Sequence, residues 1–302
     1  MAERAREVCR QLEIPHHVVD HTARFDKQVV EPFCSEYRAG GTPNPCVRCN
    51  ALVKWPSLLG AASDLGCLHV ATGHYARVGN EGERVQILRG ADRSKDQSYA
   101  LYGLPQDALS RTWFPLGSMT KEQVRTIAEQ ASLVTSGTGE SQDICFIPEG
   151  DYRGFLAHRV RMLPGPIHDT EGNVLGTHQG LPAYTIGQRK GLGIPAGRPL
   201  YVIEKDAAEN LLVVGPREAL CKRDFTVTGV NWVSVPCPAT GTRLEADLEV
   251  RYRTKPIRAE LEVESSDSVT VHLPQHDQAI APGQSAVWYR GDVLLGGGII
   301  QG

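Results

Sequence analysis

The sequence predicts an α/β unit followed by two β-rich units, and three observations carry that reading. Up to residue 146, apolar residues recur mostly at helical spacing, with short apolar runs between the helices. From about Pro148, turn residues and short apolar runs replace that periodicity. After Gly215-Pro216, six short and often alternating runs follow one another, as in a small antiparallel barrel or sandwich.

Residues 2–12 read as a helix with Val8, Cys9 and Leu12 on one face, and residues 14–19 as a strand. A chain that begins by covering a sheet should have an earlier strand to cover, so an upstream segment is expected. Residues 25–37 read as a helix that Ala39-Gly40-Gly41 ends. Residues 41–50 follow, reading Gly-Thr-Pro-Asn-Pro-Cys-Val-Arg-Cys-Asn. Pro43 and Pro45 fix the backbone on either side of Asn44. Cys46 and Cys49 come next, with Arg48 between them. Thiols on a rigid loop beside a guanidinium suit a lowered thiol pKa and a nucleophile. A surface turn with incidental cysteines is the other reading, and Cys-x-x-Cys also occurs in metal and redox sites.

Residues 51–65 read as a helix, with Pro56 at a boundary or in its first turn. Residues 68–72 read as a strand running into Gly73 and His74. A glycine at the carboxyl end of such a strand lets backbone approach a ligand, and His74 alone reads as a hydrogen-bonded loop histidine. Residues 85–89 form a short strand or hairpin arm. Lys95-Asp96-Gln97-Ser98-Tyr99 is either a solvated helix start or a phosphate-contacting cluster. Residues 120–133 are the clearest helix, with a Thr120–Gln123 capping box and a buried face of Val124, Ile127, Ala128 and Ala131. A glycine-rich polar loop at 135–143 delivers Cys145, either a small core residue or one member of a redox pair.

Hairpins are expected around Gly172 and between residues 200–203 and 211–214, with a glycine-rich segment at 184–194 between them. Six strands are expected at 226–233, 244–252, 257–264, 268–273, 285–289 and 293–300. Arg251, Arg253, Lys255 and Arg258 gather on one edge, where they could hold RNA backbone while Tyr252 stacks on a base. A charged strand face is the common alternative.

The 302 residues suggest two or three domains. A net charge of -3 excludes a globally basic nucleic-acid binder, so RNA contact must use local patches. No run of 18 apolar residues exists, so no membrane span is expected, and the charged N-terminus does not read as a signal peptide. The eight cysteines, spread through a long chain, point to a reducing, cytoplasmic setting.

Taken together and in this order, the motifs resemble the bacterial tRNA-specific 2-thiouridylase family over essentially the whole chain. The resemblance rests on residues 41–50, 71–77, 95–99, 141–147, 184–194, 251–253 and 282–287. It implies an N-terminal PP-loop (adenine nucleotide alpha hydrolase-like) parallel-sheet domain over 1–146. A small central, mostly β tRNA-binding domain over 147–216 and a C-terminal antiparallel β-barrel that binds tRNA over 217–302 are implied to follow. The implied reaction is ATP-dependent transfer of a persulfide sulfur to C2 of the wobble uridine of tRNA. ATP, consumed with Mg2+, would adenylate the uridine oxygen. The resemblance makes Cys49 the nucleophile and Cys145 the persulfide carrier, and one turnover would leave a Cys49–Cys145 disulfide. It makes Gly73 an ATP contact, and Asn44, Pro45, Cys46, His74, Lys95, Asp96, Gln97, Arg251, Tyr252 and Gln284 tRNA contacts. Cys46 is not required by the shared chemistry, because some family members carry another residue there. The implied partners are tRNA and a persulfide donor, a cysteine desulfurase or a sulfur-relay protein, with no membrane. No protein-bound metal is expected: zinc at Cys46 and Cys49 would lack a second Cys-x-x-Cys or His pair.

One family motif is not found, Ser-Gly-Gly-x-Asp-Ser, whose backbone N–H groups grip the ATP pyrophosphate. Residues 2–14 resemble the helix and strand that follow it. The 302-residue chain is therefore expected to adenylate weakly or not at all, and robust thiouridine formation by it would be the contrary result. A non-catalytic tRNA-binding fragment or subunit is the alternative reading.

Overall fold

The computed structural model describes residues 2–134, 144–147, 150–220, 222–274 and 279–302. An α/β unit, a small mostly β unit and a closed barrel follow one another along the chain. The loop expected at 135–143 lies outside the described residues.

Helix α1 (Ala2–Gln11) forms as expected, but none of its residues is buried. The strand expected at 14–19 does not form, and Ile14, Val18 and Val19 are exposed. β-branched residues favour a strand only where a neighbour accepts its ladder, and among the described residues none pairs with this segment.

Two longer helices follow, each interrupted by one π turn. Helix α2 (Thr22–Phe25) passes through a π turn at Asp26–Val30 into α3 (Glu31–Arg38). Helix α4 (Pro45–Cys49) passes through a π turn at Asn50–Lys54 into α5 (Trp55–Asp64). Each π turn ends two residues before a proline, Pro32 or Pro56. Proline cannot donate to the carbonyl four residues back, and its ring crowds that carbonyl. Widening the preceding turn relieves the clash. The Gln28 carbonyl, which Pro32 leaves without its helical donor, accepts instead from Arg48 Nε at 3.2 Å.

Strand β1 (Val70–Ala71) lies between α5 and a hairpin of β2 (Ala76–Glu81) and β3 (Arg84–Arg89). It pairs in parallel with β4 (Thr112–Trp113), a strand with no clear sequence signal. The helix Lys121–Gln130 carries the expected capping box. Its expected buried face is not buried: Ile127 is 51% exposed. Periodicity shows that a helix has an apolar face, not what covers it.

The central unit is a sheet of β5 (Gly165–His168), β6 (Val174–His178), β7 (Tyr201–Asp206) and β8 (Leu211–Gly215) in the order β6-β5-β8-β7. Both expected hairpin segments are strands, and Ile167, Val202, Leu212 and Val214 form the core. The third unit is β9 (Asp224–Trp232), β10 (Arg243–Glu249), β11 (Ile257–Ser265), β12 (Ser268–His272), β13 (Ser285–Arg290) and β14 (Val293–Ile300). Their order is β13-β10-β11-β12-β9-β14, and β13 pairs with β14 to close the barrel.

Strand β13 explains how the site is held. Its side chains alternate between two cores, as strand geometry requires. Ala286 and Trp288 enter the barrel core. Val287 and Tyr289 pack outward against Tyr99, Tyr102 and Leu104 of the first unit. Burial on both faces is why this strand reads as an unbroken apolar run. Strand β3 also pairs with β14, so the β2–β3 hairpin extends the barrel's sheet across the unit boundary. At Gly297 of β14, a Cβ would stand 2.8 Å from the Tyr102 ring and 2.9 Å from the Ala286 carbonyl, so glycine is what lets that ring approach the strand.

Candidate active site

The segment expected to be a rigid loop is the start of a helix. Asn44 caps α4, its side-chain oxygen accepting from the Cys46 N–H at 3.2 Å. Pro45 occupies the first helical position, where a missing N–H costs nothing. Cys46 and Cys49, three residues apart, therefore share a face. Arg48 points elsewhere, into the Gln28 carbonyl. The expected guanidinium beside the thiols is thus replaced by Lys54, at the end of the π turn.

The expected lowering of the thiol pKa is not found. Burial pushes the Cys46 thiol up, and the neighbouring thiols of Cys145 and Cys49 add to this against a smaller opposing pull from Lys54. Burial pushes Cys49 up as well, Lys54 pulling back and Cys145 adding to the rise. Desolvation outweighs one cation here because an ionised sulfur in a cleft loses its water shell.

Cys145 lines the same cleft, of about 260 Å3, as Cys46 and Cys49. The size sits near the lower edge of small-molecule sites, roughly 300–1,000 Å3. Cys145 is carried there by its neighbour. The Phe146 ring packs edge-on against Phe25 and Phe33, with centroids 5.5 and 5.3 Å apart. No disulfide links the three thiols. Among the described residues, no three His, Cys, Asp or Glu side chains gather as they would around a metal ion.

Other predicted residues take two kinds of place. Asn44, Pro45, His74, Gln97 and Tyr252 line the cleft. His74 is buried against Trp55 at 5.3 Å between ring centroids, and its Nδ1 meets Thr72 Oγ1 at 2.8 Å. Burial, helped by nearby Lys54, lowers its pKa to about 4, so its ring is neutral at pH 7. Gln97 is tied to Tyr75 by two bonds of 2.9 Å, one through its side-chain oxygen. Tyr252 arrives from the loop between β10 and β11. Its hydroxyl donates to the Asp96 carbonyl at 3.1 Å, and its ring lies 5.8 Å from Tyr99.

Asp96 and Gln284 work from behind the wall. The Asp96 carboxylate accepts from the Gly90 and Ser98 N–H groups at 2.9 and 3.1 Å and pairs with Arg89 at 3.1 Å. Gln284 is buried, and its side-chain amide donates to the Thr42 carbonyl at 2.7 Å, tying the barrel to the segment before Asn44. Gly73 is exposed next to His74. Lys95 is half-buried, its backbone N–H bonded to the Asp92 carbonyl at 3.0 Å. Arg251 is exposed beside Tyr252, and Arg253 lies over the Tyr252 ring at 5.1 Å. Arg258 leaves the expected basic edge, because it pairs with Glu245 at 2.7 Å and Asp247 at 3.5 Å on the barrel wall.

Lys54, Phe25, Val29 and Tyr99 line the cleft without having been expected there. Lys54 follows Cys49 by five residues, a spacing without meaning in an α-helix; the π turn gives it one. Pro56, two residues on, was the available signal.

Thiols in a cleft with aromatic rings at its edge are the arrangement that thiol chemistry on a planar group would use. Comparison with known proteins narrows that reading. Residues 1–149 match the family model described as a tRNA methyl transferase HUP domain. Residues 153–216 match the tRNA methyl transferase PRC-barrel domain, and residues 222–300 the aminomethyltransferase beta-barrel domain. The chain is 49% identical over 301 residues to the tRNA-specific 2-thiouridylase MnmA of Synechococcus sp. (strain JA-2-3B'a(2-13)), covering 98% of this chain and 81% of that protein. It is 45% identical to that of Heliobacterium modesticaldum, over 99% of this chain and 78% of that protein. The chain belongs to the tRNA-specific 2-thiouridylase family. Among the described residues, no helix is long and apolar enough to cross a membrane.

Proposed function

We propose that this chain replaces the C2 oxygen of the wobble uridine in tRNA with sulfur, ATP being consumed with Mg2+ to adenylate that oxygen. The observation that carries the reading is the placing of Cys49 and Cys145 in one cleft, with Tyr252 at its edge. A uridine swung out of its stack can enter such a cleft and lie against an aromatic ring. Its C2 carbonyl then faces the thiols.

The electrons balance within the thiol pair. The terminal sulfur of a Cys145 persulfide attacks C2, and AMP leaves with the former uridine oxygen. The Cys49 thiolate attacks the Cys145 Sγ, the S–S bond breaks, and the transferred sulfur keeps the electron pair as the thiocarbonyl. The two cysteines are oxidised to a disulfide, which an external dithiol must reduce. Lys54 favours the Cys49 thiolate and the negative charge that develops at the uridine oxygen. Neutral His74 offers a hydrogen bond without adding charge. Asn44, Pro45, Cys46 and Gln97 shape the base pocket, and Lys95, Arg251 and Tyr252 hold the tRNA. Asp96 and Gln284 act on the tRNA through the loops they position. Gly73 is assigned to ATP contact. The persulfide comes from a cysteine desulfurase or sulfur-relay protein, in the cytoplasm.

The test is thiouridine formation on tRNA from persulfide-loaded protein and ATP, run on the 302 residues, which are expected to adenylate weakly or not at all, and on the same residues preceded by a Ser-Gly-Gly-x-Asp-Ser segment, in which the variants are compared. Cys49→Ser and Cys145→Ser should each reduce the yield to background, while Cys46→Ser should still form one thiouridine per persulfide. A Cys49→Ser protein that completes a turnover would exclude this relay.

A further inference from the structure

The cleft holds one more thiol than the relay consumes. Cys46 lines the same cleft as Cys49 and Cys145. Cys46 and Cys49 occupy one turn at the start of α4, where Cβ atoms three residues apart stand roughly 5–6 Å from each other. A disulfide needs about 3.5–4.5 Å between them. Closing that gap works against the bond from the Asn50 N–H to the Cys46 carbonyl, but the N-terminal side of the turn is free of the helical ladder. The Cys46 N–H is bonded to the Asn44 side chain rather than to a carbonyl of a preceding turn.

Building on the relay proposed above, we propose that Cys46 is the resolving thiol of the cycle. Its thiolate attacks Cys49 Sγ in the Cys49–Cys145 disulfide. A Cys46–Cys49 bond forms, the Cys49–Cys145 bond breaks, and Cys145 leaves with the electron pair and takes a proton. An external dithiol then reduces the Cys46–Cys49 bond, supplying both electrons. Cys145 is thereby free to accept the next persulfide before reductant arrives.

The decisive measurement uses the full chain and needs neither ATP nor tRNA. Reduced wild type and Cys46→Ser are each treated with one equivalent of oxidised glutathione, alkylated, and mapped as non-reduced peptides. Wild type should accumulate Cys46–Cys49 with Cys145 alkylated, and Cys46→Ser should accumulate Cys49–Cys145. Opening of the variant's disulfide by dithiothreitol should be at least about tenfold slower, because the internal thiol's high effective concentration is lost. Wild type that keeps Cys49–Cys145 with Cys46 alkylated overturns the proposal, as do equal opening rates. If Cys46→Ser forms no Cys49–Cys145 bond at all, the relay itself fails, whatever the wild type shows.

Discussion

At the scale of single residues, the site's chemistry follows from which groups lose water. His74 is buried, and its pKa of about 4 lies well below the ordinary value of 6.5. In the unfolded chain the same ring binds a proton near pH 6.5. Between those two values the unfolded state holds more protons than the folded one, so stability falls as pH drops from 6.5 towards 4. His74→Gln, which can still hydrogen-bond Thr72, should flatten that part of the profile in urea unfolding. An unchanged slope would show that His74 does not titrate as described. The thiols obey the same rule: Arg48 is a cation in the chain's vicinity of Cys49 but not in its electrostatic surroundings, because its guanidinium is engaged at Gln28.

At the scale of elements, two helices owe their shape to two prolines. Without the π turns before Pro32 and Pro56, Val29 and Lys54 would present different faces, and the cleft would lack two of its walls. Asn44 holds the other end of the arrangement. Asn44→Ala should cost about 0.5–2 kcal/mol in denaturant unfolding, the usual range for a lost N-cap, and should slow thiolation by loosening the turn that carries Cys49. Asn44→Ser should restore most of the stability. If neither variant changes stability, the cap carries no weight in this helix. That α4 exists was not legible in residues 41–50, because five residues are too few for a helical period. Asn before Pro was the available start signal, and the loop-like composition obscured it.

At the scale of the whole molecule, barrel and first unit are joined at a buried ion cluster. Arg89 of β3 pairs with Glu249 of β10 at 2.6 Å and with Asp96 at 3.1 Å, and its guanidinium lies 3.5 Å from the Tyr289 ring centroid. The Asp96 carbonyl in turn holds Tyr252. Arg89→Met leaves two buried carboxylates without their cation and should cost about 3–5 kcal/mol. It should also weaken tRNA binding, because Tyr252 loses its support. Replacing Arg243, exposed on the barrel wall with Glu260 and Glu262, should cost no more than about 1 kcal/mol. Comparable losses in the two variants, read from urea midpoints, would refute this role for Arg89.

The amino-acid sequence by itself determined the order of the three units, the six barrel strands, the Thr120 capping box and the thiols to examine. Those features rest on alternation, turn chemistry and spacing within a few residues, which a linear chain displays directly. It misplaced the strand at 14–19 and the buried face of the helix Lys121–Gln130, where the deciding factor is a partner far away in sequence. Only the tertiary structure decided that Cys145 meets Cys46 and Cys49, that Lys54 replaces Arg48 beside them, and that Tyr252 arrives from the barrel. The first and last depend on long-range contacts, the Phe146 cluster and β13 packing between two cores, while Lys54 depends on the π turn before Pro56, which Pro56 signals without showing which face it turns. Long-range contacts are set by which surfaces lose water together, and local sequence pattern does not encode that choice.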